Sequence, residues 1–171
     1  MAGAGAGVAA LSLMAASCDT TTGAGVQGTP SGGSPTSSPT SSVHILAIGQ
    51  TEATTTGDSY TLVAYKAAVA SNNEFNTPPA GGRFAAADVK LCAGSAGLLA
   101  NPTDFAVGFA DASQVSGGDA SLLAVPGATL SLGQVQPGQC VSGWVSFTIP
   151  TAAPATKVLL SNSDFYWSVP G

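Results

Sequence analysis

Charge is what this sequence has least of. Only 8% of its 171 residues are Asp, Glu, Lys or Arg, against about a quarter in an ordinary soluble protein. The four cations, Lys66, Arg83, Lys90 and Lys157, form no cluster. A protein that grips a nucleic-acid backbone needs a basic patch, so no nucleic-acid partner is expected. Histidine is scarcer still: His44 is the only one. A Ser-His-Asp triad would have to use it, yet no Gly-x-Ser-x-Gly elbow is present. Ser95 stands between small residues without that spacing and reads as a turn. A His-based metal site is excluded by count, since transition-metal sites usually want several His or Cys ligands. Asp104, Asp111 and Asp119 fall in one stretch, and loop carboxylates can hold calcium. Their spacing is not that of an EF-hand, and Asp in loops is ordinary turn chemistry. Nothing marks a pair of glycosidase carboxylates flanked by aromatic platforms. The expectation is a chain without cofactor or metal that is not an enzyme.

Hydrophobic residues make up 44% of the chain, which argues against wholesale disorder. They occur in short runs. The first, residues 7–17, carries no charge and is too short to cross a bilayer as a helix. It has the length of a signal-peptide apolar region. It ends in Ala15, Ala16 and Ser17, followed by Cys18. This resembles the lipobox of bacterial lipoproteins, in which the cysteine is diacylated and becomes the new N-terminus. The match departs in two places: Ala15 replaces the usual Leu, Val or Ile, and no Lys or Arg precedes the apolar run. A start codon further upstream would supply the missing charge. Cysteine parity supports lipidation of Cys18. Three cysteines in an exported chain are all accounted for by one lipid and one disulfide; an ordinary secretory signal leaves a free thiol.

Residues 18–42 read as a lipidated Cys and a tether. After Asp19 the tether is Ser, Thr, Gly and Pro with almost no apolar side chains. Such a segment cannot bury enough surface to offset its ordering entropy. As a flexible coil it spans on the order of 25–30 Å, enough to lift a domain off a membrane. The expected division is a signal peptide over 1–17, the tether over 18–42 and a folded domain over 43–171.

From Val43 short apolar runs alternate with turn-forming residues. Strands are expected at 43–49, 59–70, 83–93, 104–112, 128–135, 140–150, 156–161 and 164–170, with a loop over 71–82. In 83–93, Ala85, Ala87, Val89 and Leu91 share one face while Asp88 and Lys90 share the other. In 140–150, Val145, Phe147 and Ile149 lie together. Ala-rich parts have helical propensity, but breakers recur at strand-like intervals. About seven to nine short strands in one domain imply an all-β, immunoglobulin-like antiparallel β-sandwich.

Cys92 and Cys140 lie in or beside two of these strands and should pair in an oxidising compartment. The closed loop would stabilise the fold by roughly 4 kcal/mol in the chain-entropy model. The alternative is a metal site, for which no further soft ligand lies near in sequence. Trp144 is expected in the core or packed on this disulfide. Phe165, Tyr166 and Trp167 are consecutive, so alternation puts at least one outward. They are the candidate interaction surface, the alternative being that they cover the end of the sandwich.

Segments 84–97, 101–112, 136–160 and 165–170 together resemble the telokin-like domain of actinobacterial lipoproteins. That family, of unknown function, is related to the immunoprotective extracellular proteins of mycobacteria. The most specific element is Pro137-Gly138-Gln139-Cys140, then Gly143-Trp144-Val145 and a strand ending in Ile149-Pro150. The resemblance covers about residues 45–170. It implies an immunoglobulin-like sandwich and a disulfide matching Cys92 and Cys140, and it brings no catalytic residues. The resulting expectation is a lipoprotein on the outer face of the cytoplasmic membrane, or else a secreted protein. It would present a non-catalytic module to a protein or glycan partner. The alternatives are an envelope enzyme or inhibitor with a loop-built site, and a purely structural envelope component.

Overall fold

The computed structural model describes residues 42–170. The signal segment 1–17, Cys18 and the tether as far as residue 41 lie outside the described residues.

Twelve strands form: β1 (His44–Leu46), β2 (Thr51–Ala53), β3 (Ser59–Val69), β4 (Gly82–Cys92), β5 (Leu98–Ala100), β6 (Phe105–Gly108), β7 (Gln114–Ser116), β8 (Gly118–Asp119), β9 (Gly133–Val135), β10 (Cys140–Pro150), β11 (Lys157–Leu160) and β12 (Phe165–Ser168). The first sheet has the order β1-β12-β11-β6-β7 and the second β2-β3-β4-β10-β8; β5 and β9 pair separately. The all-β sandwich expected from the sequence is what forms. It is cut into more and shorter strands than expected: β2, β5, β7 and β8 have two or three residues each, too few for a periodicity to show. Pairing between these strands is antiparallel except between β1 and β12, which run parallel; outside them Thr129 makes an isolated parallel bridge to Trp144.

The core lies between the sheets. Alternation turns Ala85, Ala87, Val89 and Leu91 of β4 and Val145, Phe147 and Ile149 of β10 inward, where all are buried. Phe105, Val107, Val158, Phe165 and Trp167 meet them from the first sheet. The alanines of β4 are strand, not helix, because the two long neighbours β3 and β10 take up their backbone groups. β3 changes parity along its length. Leu62 opposes Val89, but Ala64 opposes Asp88, so Val63 is an extra, bulged residue. The bulge lets both Leu62 and Tyr65 face the core.

A second, smaller cluster covers the outer face of the second sheet. Ala86, Ala120, Leu123 and Trp144 are buried there together. The chain leaving β8 folds back over the sheet and returns along β10, with Leu130 N–H donating to Trp144 O (2.9 Å) and Trp144 N–H to Ala128 O (3.0 Å). Trp144 is thus neither in the main core nor on the disulfide. Its neighbour Val145 takes the inward position, which turns the indole outward beneath the returning segment. The indole N–H donates to Pro126 O, and Lys66 Nζ sits 5.3 Å from the ring centroid.

Candidate functional site

A cleft of about 530 Å³ opens at the end of the sandwich where β1 begins. One wall is the Thr54–Asp58 turn between β2 and β3. Gly57 closes it at φ +86°, a conformation glycine adopts without a Cβ penalty. Thr54 N–H donates to Asp58 O (2.8 Å). The Asp58 carboxylate accepts from Thr56 Oγ1 (2.7 Å) and from Gly94 N–H (2.7 Å). Gly94 permits this approach, because a Cβ there would strike the Thr56 carbonyl.

The opposite wall is the Leu160–Phe165 turn between β11 and β12. Asn162 holds φ +60°, which Asn tolerates better than most residues. Ser163 Oγ donates between Leu160 O (2.7 Å) and Phe165 O (3.0 Å). His44 N–H donates to Asp164 O (2.8 Å), and His44 Nδ1 meets Glu52 Oε1 at 3.0 Å. That pair joins β1 of the first sheet to β2 of the second. Tyr60 lines the cleft beside Phe165, ring centroids 6.3 Å apart.

Electrostatically the cleft is acidic. Glu52, Asp58 and Asp164 line it, and no Lys or Arg does. The hydrogen bond and charge of Glu52, with Asp164 behind, hold the His44 imidazole above its ordinary value. Burial, then the charges of Asp58 and Asp104, push the Tyr60 phenol up, so it stays protonated. The cleft suits a cationic or hydrogen-bond-donating group. The hydroxyls of Thr54, Thr56 and Ser163 and the Asp58 carboxylate are engaged in the turns that build it. Among the described residues no three His, Cys, Asp or Glu side chains gather as a metal site.

Of the residues singled out from sequence, Cys92 and Cys140 form a disulfide between neighbouring strands of one sheet. Alternation divides the aromatic trio: Phe165 and Trp167 are buried in the core, while Tyr166 lies on the outer face beneath Lys157 Nζ, 5.4 Å from its centroid. Only Tyr166 can contribute to a surface there; the other two close the core. Trp167 reaches across the sandwich to donate to Gln50 O (3.0 Å). The three aspartates are dispersed: Asp111 and Asp119 bond Ser113 and Ser121 in their own turns, and Asp104 bonds Asn101. Ser95 is in a turn. His44 stands out in the sequence as its one histidine, whereas Glu52, Asp58, Tyr60 and Asp164 do not. They come from separate segments and carry no shared motif.

No family model and no curated protein matches this sequence. The fold matches solved structures. One is the secreted protein MPT63 of Mycobacterium tuberculosis, 18% identical, with a TM-score of 0.53 over 73% of this chain and 96% of that one. Another is the yjhA protein of Bacillus subtilis, 14% identical, with a TM-score of 0.50 over 74% and 99% of the two chains. At these identities the likeness establishes the architecture, a β-sandwich shared by proteins of distant sequence.

Proposed function

We propose that this chain is an exported lipoprotein whose β-sandwich binds a partner at the outer face of the membrane and catalyses no reaction. The observation that carries the reading is the order of segments. An apolar run ends in Ala15-Ala16-Ser17-Cys18, a Ser/Thr/Gly/Pro stretch follows, and the first strand starts at His44. The architecture shared with a secreted mycobacterial protein supports the reading, as does the sequence resemblance to telokin-like domains of actinobacterial lipoproteins. A binding role is also supported by the cleft, which is acidic and in which Thr54, Thr56, Asp58 and Ser163 serve turn geometry.

The test is the intact mass of the protein from its native membrane, beside a Cys18→Ala variant. The expected result is a mature chain starting at Cys18, heavier by a diacylglycerol and lost from the membrane in the variant. A soluble, unlipidated wild-type chain overturns the anchor. Turnover of an ester or glycoside substrate that disappears in His44→Ala would replace the binding role with the enzyme alternative.

A further inference from the structure

The Cys92–Cys140 disulfide lies on the outside of the sandwich. Alternation along β10 turns Val141, Val145, Phe147 and Ile149 toward the core, so Cys140, Ser142 and Trp144 face the other way. On β4, Val89 and Leu91 point inward, and Lys90 and Cys92 point outward. Cys140 is exposed and Cys92 half-buried. The segment that folds back over this face bridges β10 at Trp144, and β8 pairs with it at Val145 and Ser146. Among the described residues no strand lies alongside β10 at Cys140 on the side away from β4. An open pocket of about 260 Å³ is lined by Cys140 and Val141 but by no residue of β4 and no charged residue.

A thiolate attacks a disulfide in line with the S–S bond, and access decides which sulfur it takes. Here the bond runs across the ladder from β4 to β10. Attack on Cys140 Sγ comes from beyond β10, the open side. Attack on Cys92 Sγ comes from beyond β4, where Ser59 of β3 is the ladder partner of Cys92. The two sulfurs also differ as leaving groups. Lys90 is exposed and shares the outward face of β4 with Cys92, two residues or about 7 Å along the strand. An ammonium at that range favours a thiolate on Cys92. Of the carboxylates nearby, Asp88 stands further along β4, opposite Trp144, and Asp58 is engaged by Thr56 Oγ1 and the Gly94 N–H.

We propose that this disulfide is an exchange site for a small thiol, with Cys140 the sulfur attacked and Cys92 the one released. The incoming thiolate forms a mixed disulfide with Cys140 Sγ. The Cys92–Cys140 bond breaks, and its electron pair leaves on Cys92 Sγ. The proton that the attacking thiol gave up passes through water to Cys92. One disulfide and one thiol become another disulfide and another thiol, so no outside oxidant or reductant is needed. The β4–β10 ladder continues past the bond from Val141 and Leu91 onward, which holds the folded strands in place during the exchange.

The test uses the full chain with Cys18→Ser, which leaves no third thiol, and glutathione as the probe; it does not depend on whether Cys18 carries a lipid. Samples quenched early and mapped by mass spectrometry should carry glutathione on Cys140 and a free thiol at Cys92, in about tenfold excess over the reverse isomer. The rate should rise linearly with thiolate and be unchanged by urea below the unfolding transition. Lys90→Gln should slow exchange about threefold at low salt, Lys90→Arg should restore it, and the difference should fade at high salt. A rate that levels off with thiol and climbs with urea means that exchange waits for unfolding, which overturns the site. Glutathione found mainly on Cys92 at early times overturns it as well. Equal rates in Lys90→Gln and the parent chain at low salt strike Lys90 from the site.

Discussion

Cys92 and Cys140 are direct ladder partners at one end of β4 and β10, and their disulfide staples neighbours within one sheet instead of joining the two sheets. The bond closes a loop of 48 residues. In the chain-entropy model this stabilises the fold by about 4 kcal/mol. Reduction, or Cys92→Ser with Cys140→Ser, should lower the urea midpoint by a corresponding amount. Coincident unfolding curves for the oxidised and reduced forms would count against it.

Trp144 holds the returning segment 120–130 against the second sheet. Trp144→Ala removes the centre of that small cluster and leaves Pro126 O without its donor. The expected cost is about 3–5 kcal/mol. Hydrogen exchange should rise first in residues 120–130, with β3 and β4 protected until global unfolding. Uniform loss of protection would show that Trp144 belongs to the main cooperative unit.

Gly143 is where β10 touches that same segment: a Cβ would overlap Leu130 N and the Thr129 carbonyl carbon. Gly143→Ala should destabilise by about 1–3 kcal/mol. Gly133, in β9, has open space where a Cβ would go and no positive φ. Gly133→Ala should be neutral or slightly stabilising. Thermal unfolding of the two variants side by side checks the contrast.

The His44–Glu52 pair gives a pH dependence of known sign. The folded pKa is raised above the unfolded value of 6.5, chiefly by the Glu52 hydrogen bond. Its stabilisation is therefore fully present below pH 6.5 and is lost as pH rises through the folded pKa. Asp111 runs the other way. Hydrogen bonds from Ser113 depress its pKa, so its contribution is present above the unfolded value of 3.8 and is lost as pH falls through the folded pKa. The single imidazole signal can be titrated by NMR, and Glu52→Gln should bring it back toward 6.5. An unchanged titration in that variant would remove Glu52 as the cause.

Period-two alternation by itself determined the long strands. The face of Ala85, Ala87, Val89 and Leu91, the face of Val145, Phe147 and Ile149, and a sandwich needed to bury both follow from which side chains avoid water. Cysteine count and position likewise determined the Cys92–Cys140 pair.

Tertiary structure decided whatever depends on a neighbour remote in sequence. Alternation turns Trp144 outward, and only the segment folding back from β8 buries it. Phe165 and Trp167 became core and Tyr166 surface through the register with β11, which sequence could not choose. Tyr65 faces the core through the bulge at Val63, invisible to a strict period of two. The cleft gathers residues from separate strands. No local spacing encodes them, because the distances that matter are set by sheet order and by the packing of one sheet on the other.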